Sequence, residues 1–87
     1  MTGSYSVVVK RSGERELRAV AKRHLGRVVA RIRGLAEDPR PPGSEKLSGQ
    51  DRYRLRQGDY RVVYAVDDAQ RSVEIVKIGH RREVYRD

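Results

Sequence analysis

Four arginines in the C-terminal half of the sequence are spaced in a way that could hold phosphate. Arg54 and Arg56 lie two apart in Tyr-Arg-Leu-Arg, so an extended chain places both on one face, with the neighbouring tyrosine and leucine on the other. Arg61 follows a tyrosine in Tyr-Arg-Val-Val-Tyr, and Arg81 follows Gly-His. The planar guanidinium can bind two phosphate oxygens at once. The pattern therefore predicts a site that handles RNA through its phosphates.

Two further side chains near Arg81 could move protons. Tyr85 is four residues beyond Arg81 and offers a phenolic hydroxyl. His80 directly precedes Arg81, and an imidazole titrates close to neutral pH. We interpret Tyr85 as a candidate acid or base, or a stacking partner for a nucleobase, and His80 as an auxiliary acid or base. The set contains no cluster of metal ligands, so the chemistry predicted here uses neither a metal nor another cofactor.

Each of these residues also has a purely structural interpretation. The two strand arginines could be solvated on an edge strand. Arg61, if partly buried, could pair with an acid such as Glu74 or Glu83. Tyr85 could pin the C-terminus to the core, and His80 could be a packed or solvated residue at a strand end. The spacing alone leaves both interpretations open.

A second group of arginines repeats at helical spacing in the N-terminal half. Arg23, Arg27 and Arg31 are four residues apart, and no acid lies three or four residues from any of them. Such a stripe repels itself, which suggests an external anion. An acidic protein segment or simple solubility would also account for the stripe.

Composition limits the class of protein. The 87 residues predict a single domain covering 1–87, with no cysteine for disulfides. The 20 basic and 12 acidic residues give a net charge of +8, which favours polyanionic partners. No apolar run approaches the roughly 20 residues that a membrane helix needs, so we expect a cytoplasmic protein without membrane contact.

The apolar spacing predicts a strand, two helices and three further strands. Alternation over Tyr5–Lys10 indicates the first strand, and Ser12 is a candidate N-cap for the first helix. Apolar residues at helical spacing predict a second helix that ends before Asp38-Pro39, with a break between the helices at 22–26. One bent helix is the alternative. The three β segments are Tyr53–Gln57, Tyr60–Val66 and Ser72–Ile78.

These elements predict an α+β fold of order β-α-α-β-β-β. Gly58-Asp59 is expected to form a tight hairpin between the second and third strands, and residues 67–70 to join the third and fourth. The two helices then pack on one face of a small, mostly antiparallel four-stranded sheet.

The order of elements and five local strings together resemble the RelE/ParE toxin superfamily, and its RelE branch most of all. The resemblance covers nearly the whole chain. The strings are Asp-Pro-Arg-Pro-Pro-Gly-Ser (38–44), Lys-Leu-Ser-Gly (46–49), Tyr-Arg-Leu-Arg (53–56), Gly-Asp-Tyr-Arg-Val-Val-Tyr (58–64) and Gly-His-Arg-Arg-Glu-Val-Tyr-Arg (79–86).

That resemblance implies the toxin of a type II toxin–antitoxin pair. Toxins of the RelE branch enter the A site of the small ribosomal subunit, where they cut the mRNA, and they are held by a cognate antitoxin. It also implies that the five family positions are filled by Arg54, Arg56, Arg61, Arg81 and Tyr85. With this resemblance, ribosomal RNA is the partner that we prefer for the stripe of Arg23, Arg27 and Arg31. The implied fold is the RelE-like fold.

One departure from the family pattern affects the chemistry. Related toxins often carry lysine on the strand that here contains Arg54 and Arg56, and arginine does not give up its proton in proteins. The base must then be Tyr85, His80 or another group. Two alternatives stay open: a ParE-type poison of DNA gyrase without nuclease activity, and a non-catalytic member that binds only its antitoxin or RNA.

Overall fold

The computed structural model describes residues 4–47 and 51–80, which form two helices and five strands. In chain order these are β1 (Ser6–Val9), α1 (Arg11–Arg18), α2 (Lys22–Gly34), β2 (Ser44–Lys46), β3 (Arg52–Gln57), β4 (Tyr60–Asp67) and β5 (Ser72–His80). No helix in these two ranges is both long and apolar enough to cross a membrane.

The strands form one sheet in the order β1-β5-β4-β3-β2. β1 runs parallel to β5, and every other neighbouring pair is antiparallel. The predicted α+β class, with its helix pair and mostly antiparallel sheet, is confirmed. The sheet has five strands rather than four, because the segment after Gly43 pairs with β3 over three residues. Gly43 has φ +93°, a left-handed conformation that lets the proline-rich loop turn into β2.

The hydrophobic core lies between α2 and one face of the sheet. Three residues of the predicted helical repeat are buried in this core: Val28 and Ile32 of α2, and Leu35, which directly follows the helix. They belong to one cluster with Leu55 of β3 and Tyr64 of β4. Alternation along β3 then sends the side chains on either side of Leu55 to the opposite face. The core therefore fixes which face of the sheet presents the strand arginines.

The start of α1 differs from the prediction. Lys10, not Ser12, is the N-cap residue, and the Ser12 hydroxyl donates instead to the Val76 carbonyl oxygen of β5 at 3.3 Å. Gly13 is buried where α1 meets β5, and a Cβ at that position would lie 3.0 Å from the Ile75 carbonyl oxygen. The position of the first turn of α1 therefore depends on its close contact with β5 and not on a side-chain cap.

The helix boundaries were also misplaced by a few residues. The chain breaks between the helices at 19–21, and Gly26, which was predicted to mark the break, lies exposed inside α2. The helix also ends earlier than Asp38, at Gly34, and its last carbonyls are satisfied by a turn in which Glu37 and Asp38 donate to the Gly34 oxygen. A single glycine costs a helix only about 1 kcal/mol, so it does not have to end one.

The loop after α2 is tied to the sheet by polar contacts. Buried Tyr64 donates its hydroxyl proton to the Pro39 carbonyl oxygen at 2.8 Å. Arg40 makes a two-pronged contact with Asp68, at 3.1 and 2.8 Å, and donates to the Tyr53 hydroxyl at 2.9 Å. Tyr5 donates to the same Asp68 carboxylate at 2.7 Å. These contacts hold the loop that leads into β2.

The Asp68 contacts predict a pH-dependent contribution to stability. The hydrogen bonds from Arg40 and then Tyr5 hold the pKa of Asp68 below its ordinary value of 3.8. These contacts therefore stabilise the fold above that value, and the contribution is lost as the pH falls through the lowered pKa. Asp68→Asn should lower the Tm at neutral pH, and the difference from wild type should shrink in acid. Calorimetry across pH tests this, with Asp59→Asn as a charge-matched control; a difference that does not change with pH would contradict it.

Candidate phosphate-binding site

Two rows of side chains cross the face of the sheet that points away from the helices. In the first row, strand pairing places Glu45, Arg54, Val63 and Lys77 side by side on β2, β3, β4 and β5. In the second row, Arg56 of β3 and Arg61 of β4 stand opposite each other, followed by Gly79 of β5. We call Arg54, Arg56, Arg61 and Lys77 the basic sheet face.

Arg61 is the most buried charged residue of this face. Only 4% of its surface is exposed. Its Nη1 donates to the carbonyl oxygens of Gly58 and Tyr60, at 3.4 and 3.2 Å. Gly58 lies in the tight turn between β3 and β4, and Tyr60 is the first residue of β4. Gly58 takes φ +60° there, as the predicted hairpin requires. The turn therefore orients the guanidinium, which is the preorganisation that a phosphate clamp needs.

A cavity of about 370 Å³ opens beside the other two arginines and is lined by Gly43, Glu45, Arg54 and Arg56. Glu45 forms an ion pair with Arg54. The hydrogen bond from Arg54, together with the charges of Arg54, Arg56 and Arg61, holds the pKa of the Glu45 carboxyl below its usual range. The carboxylate thus experiences all three guanidinium groups. It occupies a position at which an incoming phosphate could replace it.

Glu45→Gln should therefore tighten the binding of short single-stranded RNA, by up to roughly fivefold, since an exposed ion pair contributes little and is screened by salt. The gain should be larger at low ionic strength. Fluorescence anisotropy with a labelled oligonucleotide measures it. Glu14→Gln on α1 makes the same change in charge away from the sheet face and serves as the control. Weaker binding by Glu45→Gln than by wild type would show that the carboxylate positions Arg54 rather than competing with RNA.

The structure places the predicted arginines as the alternation required. Arg54 and Arg56 share a face, while Tyr53 and Leu55 are buried on the other. β3 is not an edge strand where β2 pairs with it, over Tyr53–Leu55, and Arg54 is half-buried there. Arg56 lies just beyond β2 and is exposed. Arg81 and Tyr85 lie outside the described residues, and their place in the site stays a prediction.

His80 is placed differently from the arginines. It pairs with Tyr60 at the ends of β4 and β5, and its ring packs edge-on against that tyrosine with centroids 5.8 Å apart. His24, to which we assigned no role, lies against the same tyrosine at 5.5 Å. Tyr60 packs against the core. The ring contact does not test the auxiliary acid or base, and that role of His80 stays a prediction.

The helix arginines do not form one uniform stripe. Arg23 and Arg27 are exposed on α2 as predicted, and Arg23 donates from Nε to His24 at 3.3 Å. Arg31 is only partly exposed, and its Nε is buried without a hydrogen-bond partner among the described residues. Its Nη2 lies 3.8 Å from where a Cβ at Gly43 would be. Arg31 thus reaches the loop before β2, which helical spacing alone cannot reveal.

Sequence reasoning missed two members of the site. Glu45 lies outside the predicted helices and strands, and only the short strand β2 brings it opposite Arg54. Lys77 was treated as an ordinary strand residue, and only the register of β5 brings it onto the basic sheet face. No cluster of three or more potential metal ligands occurs within the described ranges 4–47 and 51–80.

The chain is similar in sequence to known toxins. A family model described as the ParE toxin of the type II toxin–antitoxin system parDE matches residues 7–85. The toxin RelE of Mycobacterium tuberculosis is 32% identical over 84 residues, which is 94% of this chain and 87% of that protein.

Two solved structures share the fold over most of the chain. The toxin–antitoxin complex RelBE2 of Mycobacterium tuberculosis superposes with a TM-score of 0.78 at 28% identity, covering 88% of this chain and 98% of the other. The archaeal RelE–RelB complex of Pyrococcus horikoshii gives a TM-score of 0.77 at 28% identity, covering 90% and 96%.

Proposed function

This chain belongs to the RelE/ParE superfamily of toxins from type II toxin–antitoxin pairs, and from that premise we propose that it cuts mRNA in the ribosomal A site and so inhibits translation. The observation that carries the proposal is the buried Arg61, oriented by backbone carbonyl oxygens at a turn and flanked on the same sheet face by Arg54 and Arg56.

The cleavage that we propose needs no metal ion. The 2′-hydroxyl of the mRNA attacks the adjacent phosphorus, the bond to the 5′-oxygen breaks, and the products carry a 2′,3′-cyclic phosphate and a 5′-hydroxyl. The reaction needs a base for the 2′-proton, cations for the charge that builds on the phosphoryl oxygens, and an acid for the leaving 5′-oxygen. Guanidinium groups serve the second need because they present paired donors in a rigid plane.

The residues divide by position. Arg61 holds the scissile phosphate, and Arg54 and Arg56 hold that phosphate or its neighbours from the cavity beside β2. Arg81 and Tyr85 join them on the strength of the resemblance, Arg81 at the phosphate and Tyr85 as acid or base. The ribosome contributes by positioning the mRNA, which is worth several kcal/mol in reactions between oriented groups.

The partners follow from the same premise. We expect a cognate antitoxin to bind this chain, because the similar toxins from Mycobacterium tuberculosis and Pyrococcus horikoshii were solved as toxin–antitoxin complexes. The exposed Arg23 and Arg27 of α2 dock on ribosomal RNA, with Arg31 beside them. Such action takes place in the cytoplasm, where ribosomes translate.

A second function has one specific observation in its favour. The family model that matches is that of ParE toxins, so poisoning of DNA gyrase without nuclease activity is the alternative. A gyrase supercoiling assay with purified protein separates the two. We expect no inhibition at protein concentrations that stop translation.

End-group analysis of the cut mRNA tests the proposed chemistry. The downstream fragments should accept phosphate from polynucleotide kinase without prior dephosphorylation, because they begin with a 5′-hydroxyl. The upstream fragments should resist ligation until their cyclic phosphate is opened and the resulting phosphate is removed, which leaves a free 3′-hydroxyl. Fragments with 5′-phosphate ends would contradict attack by the 2′-hydroxyl.

A further inference from the structure

The proposed cleavage requires a proton for the leaving 5′-oxygen, and the arginines of the basic sheet face do not supply it. Arg54, Arg56 and Arg61 stay protonated throughout, so they stabilise charge but do not transfer protons. The leaving 5′-oxygen of RNA is a poor leaving group and needs an acid. Lys77 is the one lysine on this face among the described residues, and lysine, unlike arginine, can give up a proton and take it back.

Strand register places Lys77 beside the reacting centre. It stands opposite Val63, with Arg54 on the other side of the same valine. Gly79, two residues further along β5, stands opposite Arg61. Lys77 is therefore the diagonal neighbour of Arg61, about 7–8 Å away between backbones, a separation that long side chains bridge. It is also half-buried, which restricts where its side chain can point.

A β-bulge turns Lys77 toward this face. On β4, Val63 stands opposite Lys77, and the next residue, Tyr64, stands opposite Ile75. Val76 of β5 therefore has no residue opposite it on β4 and is the extra residue of the bulge. Without the extra residue, regular alternation would point Lys77 toward the helices. The bulge thus moves a lysine from the core side to the arginine side.

Helix α1 fixes the backbone on both sides of Lys77. The Ser12 hydroxyl donates to the Val76 carbonyl oxygen at 3.3 Å. The Glu16 carboxylate accepts from the Ile78 N–H at 2.8 Å. Both contacts lie on the edge of β5 that β1, which ends at Val9, no longer covers. Because the residues before and after Lys77 are both held, the direction of its side chain is set by the fold.

We propose that Lys77 is the general acid of the cleavage reaction, an inference that rests on the proposed function. As the 2′-oxygen bonds to phosphorus, the 2′-proton passes to the base and the bond between phosphorus and the 5′-oxygen breaks. The Lys77 ammonium gives its proton to that 5′-oxygen and becomes a neutral amine, which takes a proton back from water. No oxidant, reductant or further reactant is required.

The test compares Lys77→Arg and Lys77→Met on two mRNAs programmed on ribosomes. One mRNA is ordinary, and the other has sulfur in place of the 5′-oxygen at the cut site, because a thiolate leaves without protonation. On ordinary mRNA both variants should be about 10²–10⁴-fold slower than wild type, although Lys77→Arg keeps the charge. On the sulfur substrate both should come close to the wild-type rate.

Controls keep the result specific. Lys46→Met removes a lysine from the opposite face of the same sheet and should cut both substrates like wild type. Arg61→Ala should stay slow on both substrates, because its loss concerns charge on the phosphate. Thermal unfolding shows whether each variant is folded, and Lys77→Arg, the conservative change, still decides the matter if Lys77→Met is unstable.

Two results would overturn the inference while leaving the proposed function intact. Wild-type rates from Lys77→Arg would exclude proton transfer by Lys77. Equal losses on both substrates would make Lys77 a phosphate ligand only. A folded wild-type protein that cuts neither mRNA would instead overturn the proposed function, and this inference with it.

Discussion

Arg61→Lys is expected to slow A-site cleavage by about 10²–10³-fold while the protein stays folded. Arg61 is 4% exposed, and the carbonyl oxygens of Gly58 in the β3–β4 turn and of Tyr60 at the start of β4 accept hydrogen bonds from its Nη1. Lysine keeps the charge that this buried position accommodates, but it cannot present two parallel donors in one plane. Single-turnover cleavage of mRNA on ribosomes measures the loss.

The matched control for this prediction is Arg18→Lys. Arg18 is exposed at the end of α1, so the same exchange there should leave the rate unchanged. Circular dichroism and thermal unfolding establish that Arg61→Lys is folded. If Arg61→Lys cuts at the wild-type rate, a positive charge alone is sufficient at this position, and the paired-donor clamp is wrong.

Gly13→Ala is expected to be less stable than Gly26→Ala by about 1–3 kcal/mol, although both substitutions add the same methyl group to a helix. A Cβ at Gly13 would lie 3.0 Å from the Ile75 carbonyl oxygen, which is backbone and cannot swing away. A Cβ at Gly26 meets nothing within 4 Å. Gly26→Ala should therefore gain the usual preference of a helix for alanine, roughly 0.5–1 kcal/mol.

Urea denaturation of both variants gives the two free energies of unfolding. Gly13→Ala should also cut mRNA more slowly, because α1 carries Ser12 and Glu16, which hold β5 on both sides of Lys77. Equal stability of the two alanine variants would mean that α1 can move away from β5 at no cost. The fixed geometry of the bulge would then be in doubt.

Much of the fold could be predicted because its signals are local. The two-residue alternation put Arg54 and Arg56 on one face, and Gly58-Asp59 marked the hairpin that orients Arg61. The helical repeat found the buried face of α2, including Val28 and Ile32. Each of these features depends on residues a few positions apart.

The features that were missed depend on residues far apart in the chain. Serine is a common helix N-cap residue, but the Ser12 hydroxyl donates a hydrogen bond to the Val76 carbonyl oxygen, 64 positions away. β2 is only three residues long, and it is a strand because it pairs with β3. The bulge that turns Lys77 outward follows from how β5 matches β4, and alternation within β5 alone gives no sign of it.

Primer extension on a defined mRNA tests the central claim most directly. The purified protein is added to naked mRNA and to the same mRNA on ribosomes with an empty A site, beside Arg61→Lys and Arg81→Ala. We expect cuts within the A-site codon, only on ribosomes, and strongly reduced in both variants. No cuts from folded wild-type protein, or equal cuts on naked and ribosome-bound mRNA, would contradict the account.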